Sequence, residues 1–272
     1  MSEIISIVSQ KGGVGKTTTA VNLCASLTAL GHKTLLIDLD PQGHVATSFG
    51  YGKYDIKAGV YELITGSKEL DEIIHPTLMD NFDFIPSNFW AEDEDKLEQI
   101  HQDRTSFLKS PLSKLKTRYD FIVMDCPPSL GKLTFNSLVA SDSIIVPIQC
   151  EFYALKSLGK LLKLTRMVKN DYNPSLQYRG FLLTMVDLRN NLSRRVMDKI
   201  KYTLKGLVFE TIIPRNVRLA EVPYFGKPVL LIDKTCKGAN SYMELATELL
   251  NQNGTSESSL AKKEMVMAES FQ

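Results

Sequence analysis

The chain has almost no excess of charge of either sign: 32 Lys and Arg face 31 Asp and Glu across 272 residues, a net +1. That excludes nucleic-acid binding by overall charge and leaves only a local basic patch as a means to it. Closely spaced cysteines are absent. Cys24, Cys126, Cys150 and Cys236 lie far apart, without the paired spacing of a zinc or iron–sulfur site. They read as reduced thiols of a cytosolic protein, most of them filling core. No apolar run approaches the roughly 20 residues that cross a bilayer. The start, MSEIISIVSQ, has no basic segment and no long apolar one, so it is not read as a signal peptide. Internal repeats and long linkers are also missing. What remains is the composition of an ordinary soluble globular protein, 43% hydrophobic and 23% charged.

Short β-rich runs recur along this chain, and most are followed by helical periodicity. Strands are expected at 4–9, 34–40, 82–87, 120–126, 143–149, 180–186 and 208–214, helices at 16–30, 154–170, 192–205 and 239–251. Gly31 suits the end of the first helix. Several strand runs are continuously apolar, as parallel strands covered on both faces are. The expected fold is therefore α/β, a mostly parallel twisted sheet with helices on both faces. One folded domain is expected over 1–251. The Ser-, Glu- and Lys-rich remainder, 252–272, reads as a mobile tail. The stretch 92–104, acidic at its start and basic later, reads as a solvated helix.

The first strand runs into SQKGGVGKTT, residues 9–18, and a helix begins near Lys16. Strand, glycine loop and helix together form the context of a phosphate loop. Gly12, Gly13 and Gly15 permit positive φ and close approach of the backbone to a ligand. The backbone N–H groups from Gly12 through Val14 to Thr18 then converge on phosphate oxygens at a helix N-terminus. Lys16 neutralises the β- and γ-phosphates, and Thr17 offers its hydroxyl to Mg²⁺. ATP and Mg²⁺ are the expected ligands. The loop departs from the ordinary pattern twice: Gln10 stands where a glycine is usual, and Lys11 is an extra lysine. Lys11 comes too early to act as Lys16 does. Pointing outward, it could reach a nucleotide held by a second subunit and stabilise charge there, as an arginine finger does.

Two acidic strand ends accompany the loop. LLIDLDPQG (35–43) brings Asp38 and Asp40, two residues apart and so on one face of a strand. They could hold the waters of Mg²⁺, position an attacking water, or simply make a turn with Pro41 and Gly43. FIVMDCPPSLG (121–131) is an apolar strand ending in Asp125, an acid placed to bind Mg²⁺ directly or through water. Pro127 and Pro128 force an extended exit, and Ser129 to Gly131 could form a switch that reads the γ-phosphate.

With these residues in place the sequence resembles the ParA/Soj family, the deviant Walker A class of P-loop ATPases that also contains MinD. KGGVGKTT, DLDPQG and DCPPSLG match its nucleotide motifs, and the likeness continues through PIQCEFYALKSL, LLTMVDLRNNLS, IPRNVRLAEVPYFGKP and KGANSYMELATEL, over roughly 1–250. The resemblance implies a P-loop fold and an ATPase for partitioning a chromosome or plasmid. It implies that Lys11 crosses a nucleotide-sandwich homodimer, that Asp40 serves hydrolysis, and that Asp125 is the Mg²⁺-linked acid with Asp38 in support. It places Pro214 and Asn216 at the adenine. It also implies a ParB-like activator, and location in the cytoplasm on the nucleoid. FWAEDEDK (89–96) departs from the family pattern.

Residues 189–205 hold Arg189, Arg194, Arg195, Lys199, Lys201 and Lys205 against one acid, Asp198. Composition alone reads this as a solvated helix face. By the resemblance, Arg189 and Arg218 bind double-stranded DNA without sequence preference, in the ATP-bound dimer. The alternative within the same class is a MinD-like membrane ATPase. It would need a basic amphipathic tail, and here Lys262 and Lys263 are offset by Glu257, Glu264 and Glu269. An electron-transfer ATPase of the nitrogenase-reductase type would need a pair of cluster-ligating cysteines, which the cysteine spacing does not suggest.

Overall fold

The computed structural model describes residues 2–89, 106–151, 154–204 and 206–252. The stretch 92–104, the tail 253–272 and all but the first residue of the divergent 89–96 run lie outside them. Among the described residues eight strands make one sheet: β1 (Glu3–Ile7), β2 (Thr34–Asp38), β3 (His75–Pro76), β4 (Phe82–Ile85), β5 (Phe121–Asp125), β6 (Ser143–Gln149), β7 (Gln177–Val186) and β8 (Val208–Pro214). Their order is β3-β4-β2-β5-β1-β6-β7-β8. Every pairing is parallel except β3 with β4. All seven expected strands are present. β2 is shorter than expected, because it stops at Asp38 and the chain turns there.

Six longer helices cover the sheet: α1 (Lys16–Ala29), α2 (Lys109–Leu115), α3 (Lys132–Ala140), α4 (Ala154–Asp171), α5 (Asn191–Leu204) and α6 (Lys237–Gln252). α1 ends as its sequence predicts: Gly31 has φ +92°, and its N–H donates to the Thr28 carbonyl at 2.9 Å. The two-residue period of a strand sorts the apolar side chains between two cores. On β5, Phe121 and Val123 pack beneath α1 and α6, while Ile122 and Met124 pack beneath α2, α3, α4 and α5. Leu35, Leu36 and Ile37 of β2 alternate in the same way. Both faces are dry, so the strands read as unbroken apolar runs.

The sheet positions chemistry at its C-terminal edge. β1 lies between β5 and β6, and β5 between β1 and β2, so the glycine loop after β1 stands next to the acids that end β5 and β2. In register, Ile7 pairs with Asp125, and Asp125 with Asp38. At the side edge of the sheet, the β8 N–H groups of Glu210 and Thr211 donate to the Glu248 carboxylate of α6 at 2.8 and 2.9 Å. Farther along, Gly226 (φ +61°) lies so close to Gly50 that a Cβ at 226 would sit 2.7 Å from the Gly50 Cα. That contact ties the segment after β8 to the short helix His44–Ser48 that follows the Asp40 turn.

Candidate active site

The phosphate loop takes its shape from two glycines. Gly13 and Gly15 have φ of +72° and +88°, whereas Gly12 is not among the positive-φ glycines. Gly15 caps α1, which aims the first N–H groups of that helix at the loop's mouth. The Thr184 hydroxyl of β7 holds the loop from below by donating to the Val14 carbonyl at 2.8 Å. Lys16 is buried at 7% exposure, and its positive charge favours the ionised form of Asp125.

Asp125 is the site's electrostatic centre. Its Oδ2 accepts from the Thr17 hydroxyl at 2.6 Å, while its Oδ1 is buried without any partner. Burial pushes its pKa up to about 7; the Thr17 hydrogen bond and the Lys16 charge pull it down, and Asp40 adds repulsion. Asp38 is likewise pushed well above the usual carboxylate range, first by burial and then by the charge of Asp125. Its two oxygens accept the N–H groups of Asp40 (3.0 Å) and Val45 (3.1 Å) and so shape the turn. Asp40 lies past the strand end, not on its face. Asp38 brings it in through that 3.0 Å bond, and its own Oδ1 accepts from the Gln42 N–H at 3.0 Å. The described residues form no cluster of three acids placed to hold a metal by themselves, but the partnerless Asp125 Oδ1 beside the Thr17 hydroxyl leaves one buried acceptor for a small divalent cation.

The raised pKa of Asp125 gives a stability prediction. A carboxyl whose folded pKa is raised makes the native state lose stability as pH climbs from about 4 through 7, and the loss is complete above 7. Asp125→Asn removes the charge and keeps the shape. The apo variant should melt several degrees higher than the wild type at pH 8, a gain on the order of 2 kcal/mol, with a smaller gain at pH 6. Thermal melts at the two pH values test this, and an unchanged or lower Tm at pH 8 would contradict it.

Beside the loop opens a cavity of about 400 Å³, lined by Gly15, Thr18, Met185, Pro214, Asn216 and Leu219 among others. Pro214 and Asn216 therefore do converge with the glycine loop. Asn216 also caps the short helix Val217–Ala220 by accepting from the Arg218 N–H. Sequence reasoning missed Met185, a non-glycine residue at φ +51° that lines this cavity and whose terminal methyl would lie 3.7 Å from a Cβ at Gly15. A methionine ending an apolar strand carries no mark of such a role. The positive φ falls where the β7–β8 pairing loses its regular register, between Leu183 and Val186.

Lys11 does not point free of its own chain. Its ammonium is paired with Glu151, just beyond β6, and lies 3.4 Å from Gln149 Oε1. Arg189 and Arg218 leave the sheet beside the adjacent ends of β7 and β8, and both are exposed. Each is held by its own acids: Arg189 by Asp187 at 3.0 Å, Arg218 by Glu221 at 2.9 Å and Asp233 at 3.9 Å. Arg194 donates to the Leu188 carbonyl, and Lys201 pairs with Glu210 at 3.4 Å. Cys24, Cys126 and Cys150 are buried, and burial raises all three thiols, Cys126 to about 12 and Cys150 to about 11. No helix among the described residues is long and apolar enough to cross a membrane.

A family model described as an AAA domain matches residues 2–178. The sporulation initiation inhibitor protein Soj of Bacillus subtilis is 44% identical over 250 residues, spanning 92% of this chain and 98% of that protein. The chromosome partitioning protein ParA of Myxococcus xanthus is 43% identical over 254 residues, 93% of this chain and 89% of that one. Among solved structures, the cobyrinic acid a,c-diamide synthase of Mycobacterium smegmatis with bound ATP analog and magnesium superposes with a TM-score of 0.81. It is 33% identical, with 94% of this chain and 96% of that one covered.

Proposed function

The chain belongs to the Soj/ParA family of P-loop ATPases, and from that premise we propose that it is a Mg-ATP-driven partitioning switch whose homodimer holds DNA without sequence preference. The observation that carries this reading is the orphaned Asp125 Oδ1 beside Thr17 and Lys16, at the mouth of a glycine loop. In this reading residues 1–251 form one ATPase domain followed by a tail. The backbone from Gly12 to Thr18, with Lys16, cradles the phosphates of ATP, and Pro214 and Asn216 border its base. Thr17 and Asp125 hold Mg²⁺, with Asp38 in support. Bound there, Mg²⁺ neutralises charge on the phosphoryl oxygens.

Asp40, whose carboxylate keeps one oxygen clear of the turn, orients the water that attacks the γ-phosphate. Lys11 leaves Glu151 and engages the nucleotide of a second protomer, so closure of the dimer is also an exchange of ion pairs. Hydrolysis dissolves the dimer and releases DNA, a step that a ParB-like partner would speed. The cargo is a chromosome or plasmid and the setting is the cytoplasmic nucleoid. Support for this reading over a membrane-bound one lies in the Soj and ParA relatives.

DNA contacts follow from Arg189 and Arg218. Both are exposed, and their acid partners are exposed or nearly so, which makes those pairs weak and easily displaced by phosphate. Arg189→Ala with Arg218→Ala should lose DNA retardation at moderate salt, while light scattering still finds an ATP-dependent dimer. Retardation equal to wild type would remove these two residues from the interface. A wild-type protein that stays monomeric with ATP would remove the dimer.

A further inference from the structure

α4 and α5 send Leu158, Leu161, Val168, Ile200 and Leu204 into one core, so both lie on the same face of the sheet. Together they carry nine cations and two acids, Asp171 and Asp198, in a chain of net charge +1. On α4, Lys160, Lys163 and Arg166 are exposed at three-residue steps, and none has an acidic partner among the described residues. Like charges spaced this way repel along a helix, and α4 offers no acid until its last residue. Arg195 and Lys199 are exposed on α5, as is Tyr202 at 79%. α5 begins at Asn191, two residues after Arg189, and its exposed cations lie on the same side of the sheet as those of α4. Among the described residues the large apolar side chains exposed on α4 are limited to Met167, which gives a lipid surface little to hold.

We propose that Lys160, Lys163 and Arg166 on the outer face of α4 form a second track for the phosphate backbone of duplex DNA, on the side of the sheet that α4 shares with α5. This rests on the DNA-binding reading above. Unlike Arg189 and Arg218, these three residues need break no ion pair with any described residue to meet a phosphate. The interaction is with backbone charge alone, so it adds affinity and salt dependence without sequence preference.

Fluorescence anisotropy of a random-sequence duplex tests it, with the full chain in Mg-ATP between 50 and 200 mM salt. The proteins compared are wild type, K160Q/K163Q/R166Q and R189A/R218A. The triple variant should bind at least tenfold more weakly. Its log affinity should fall less steeply with log salt, by about 0.9 for each phosphate it no longer neutralises. Its ATP-dependent dimer and basal hydrolysis should match wild type. Wild-type affinity and slope in the triple variant would overturn the track; loss of DNA by R189A/R218A in the same series would leave the DNA reading standing. If wild type itself fails to bind, the DNA reading falls and the track with it. Should the triple variant fail to dimerise, K163Q alone decides, by whether its slope flattens.

Discussion

Lys16→Ala should abolish nucleotide binding: titration with a fluorescent ATP analogue is expected to show no saturation even about 100-fold above the wild-type Kd. The size of the effect comes from the surroundings of the side chain. Lys16 is buried, and its charge lowers the pKa of Asp125 against the effects of burial and of Asp40. In the proposed site, removing it would take away the charge that meets the phosphates. It also leaves the carboxyls uncompensated, so an incoming polyanion meets a site of its own sign. Truncating one partner of a desolvated charge pair between protein and ligand costs about 2–5 kcal/mol of binding, and about 3 kcal/mol of that is already a factor of roughly 100 in affinity. Saturable binding with an unchanged Kd would refute the assignment of the loop.

Asp40→Ala has the opposite profile. The variant should bind ATP almost as wild type does, turn it over at least about 100-fold more slowly, and accumulate as a dimer with ATP but not with ADP. The distinction from its neighbours is geometric. Asp125 is bonded to Thr17, and Asp38 gives both oxygens to the backbone of the turn, whereas Asp40 bonds only the Gln42 N–H beyond it. Removing Asp40 leaves the cradle intact. Asp38→Ala, by contrast, frees two backbone N–H groups and should disorder the turn. Single-turnover kinetics beside light scattering separate the two cases, and unchanged turnover in Asp40→Ala would take it out of the mechanism.

The sheet was legible because a strand buried on both faces writes its whole length in apolar letters, as IISIV and FIVMD do. α3 was not, because Thr134, Asn136 and Ser137 are buried on it and break the apolar stripe; Asn136 is turned inward, accepting the Phe107 N–H at 3.0 Å. β3 is two residues long and includes Pro76, below what any pattern can carry. In the site, the glycine loop and the two acidic strand ends could be read because each is local in sequence. The Lys11 partner Glu151 stands 140 positions away, and the loop's support from Thr184 comes 170 positions after Val14. Pairings of that kind exist only once the sheet order brings β1, β6 and β7 side by side.

The margins of the sheet decide what sort of assembly is open to this chain. A bare edge strand invites another strand, and head-to-tail addition has no natural stopping point. Here β8 offers Glu210 and Thr211 N–H groups that Glu248 already occupies, and the opposite margin, β3, is two residues with a proline. Among the described residues neither border is an open template. Copies of the chain are thereby steered away from growing a continuous ribbon, and association falls to the other surfaces. Where copies of the chain do associate through those surfaces, the assembly can close on a counted number of subunits instead of growing at its ends.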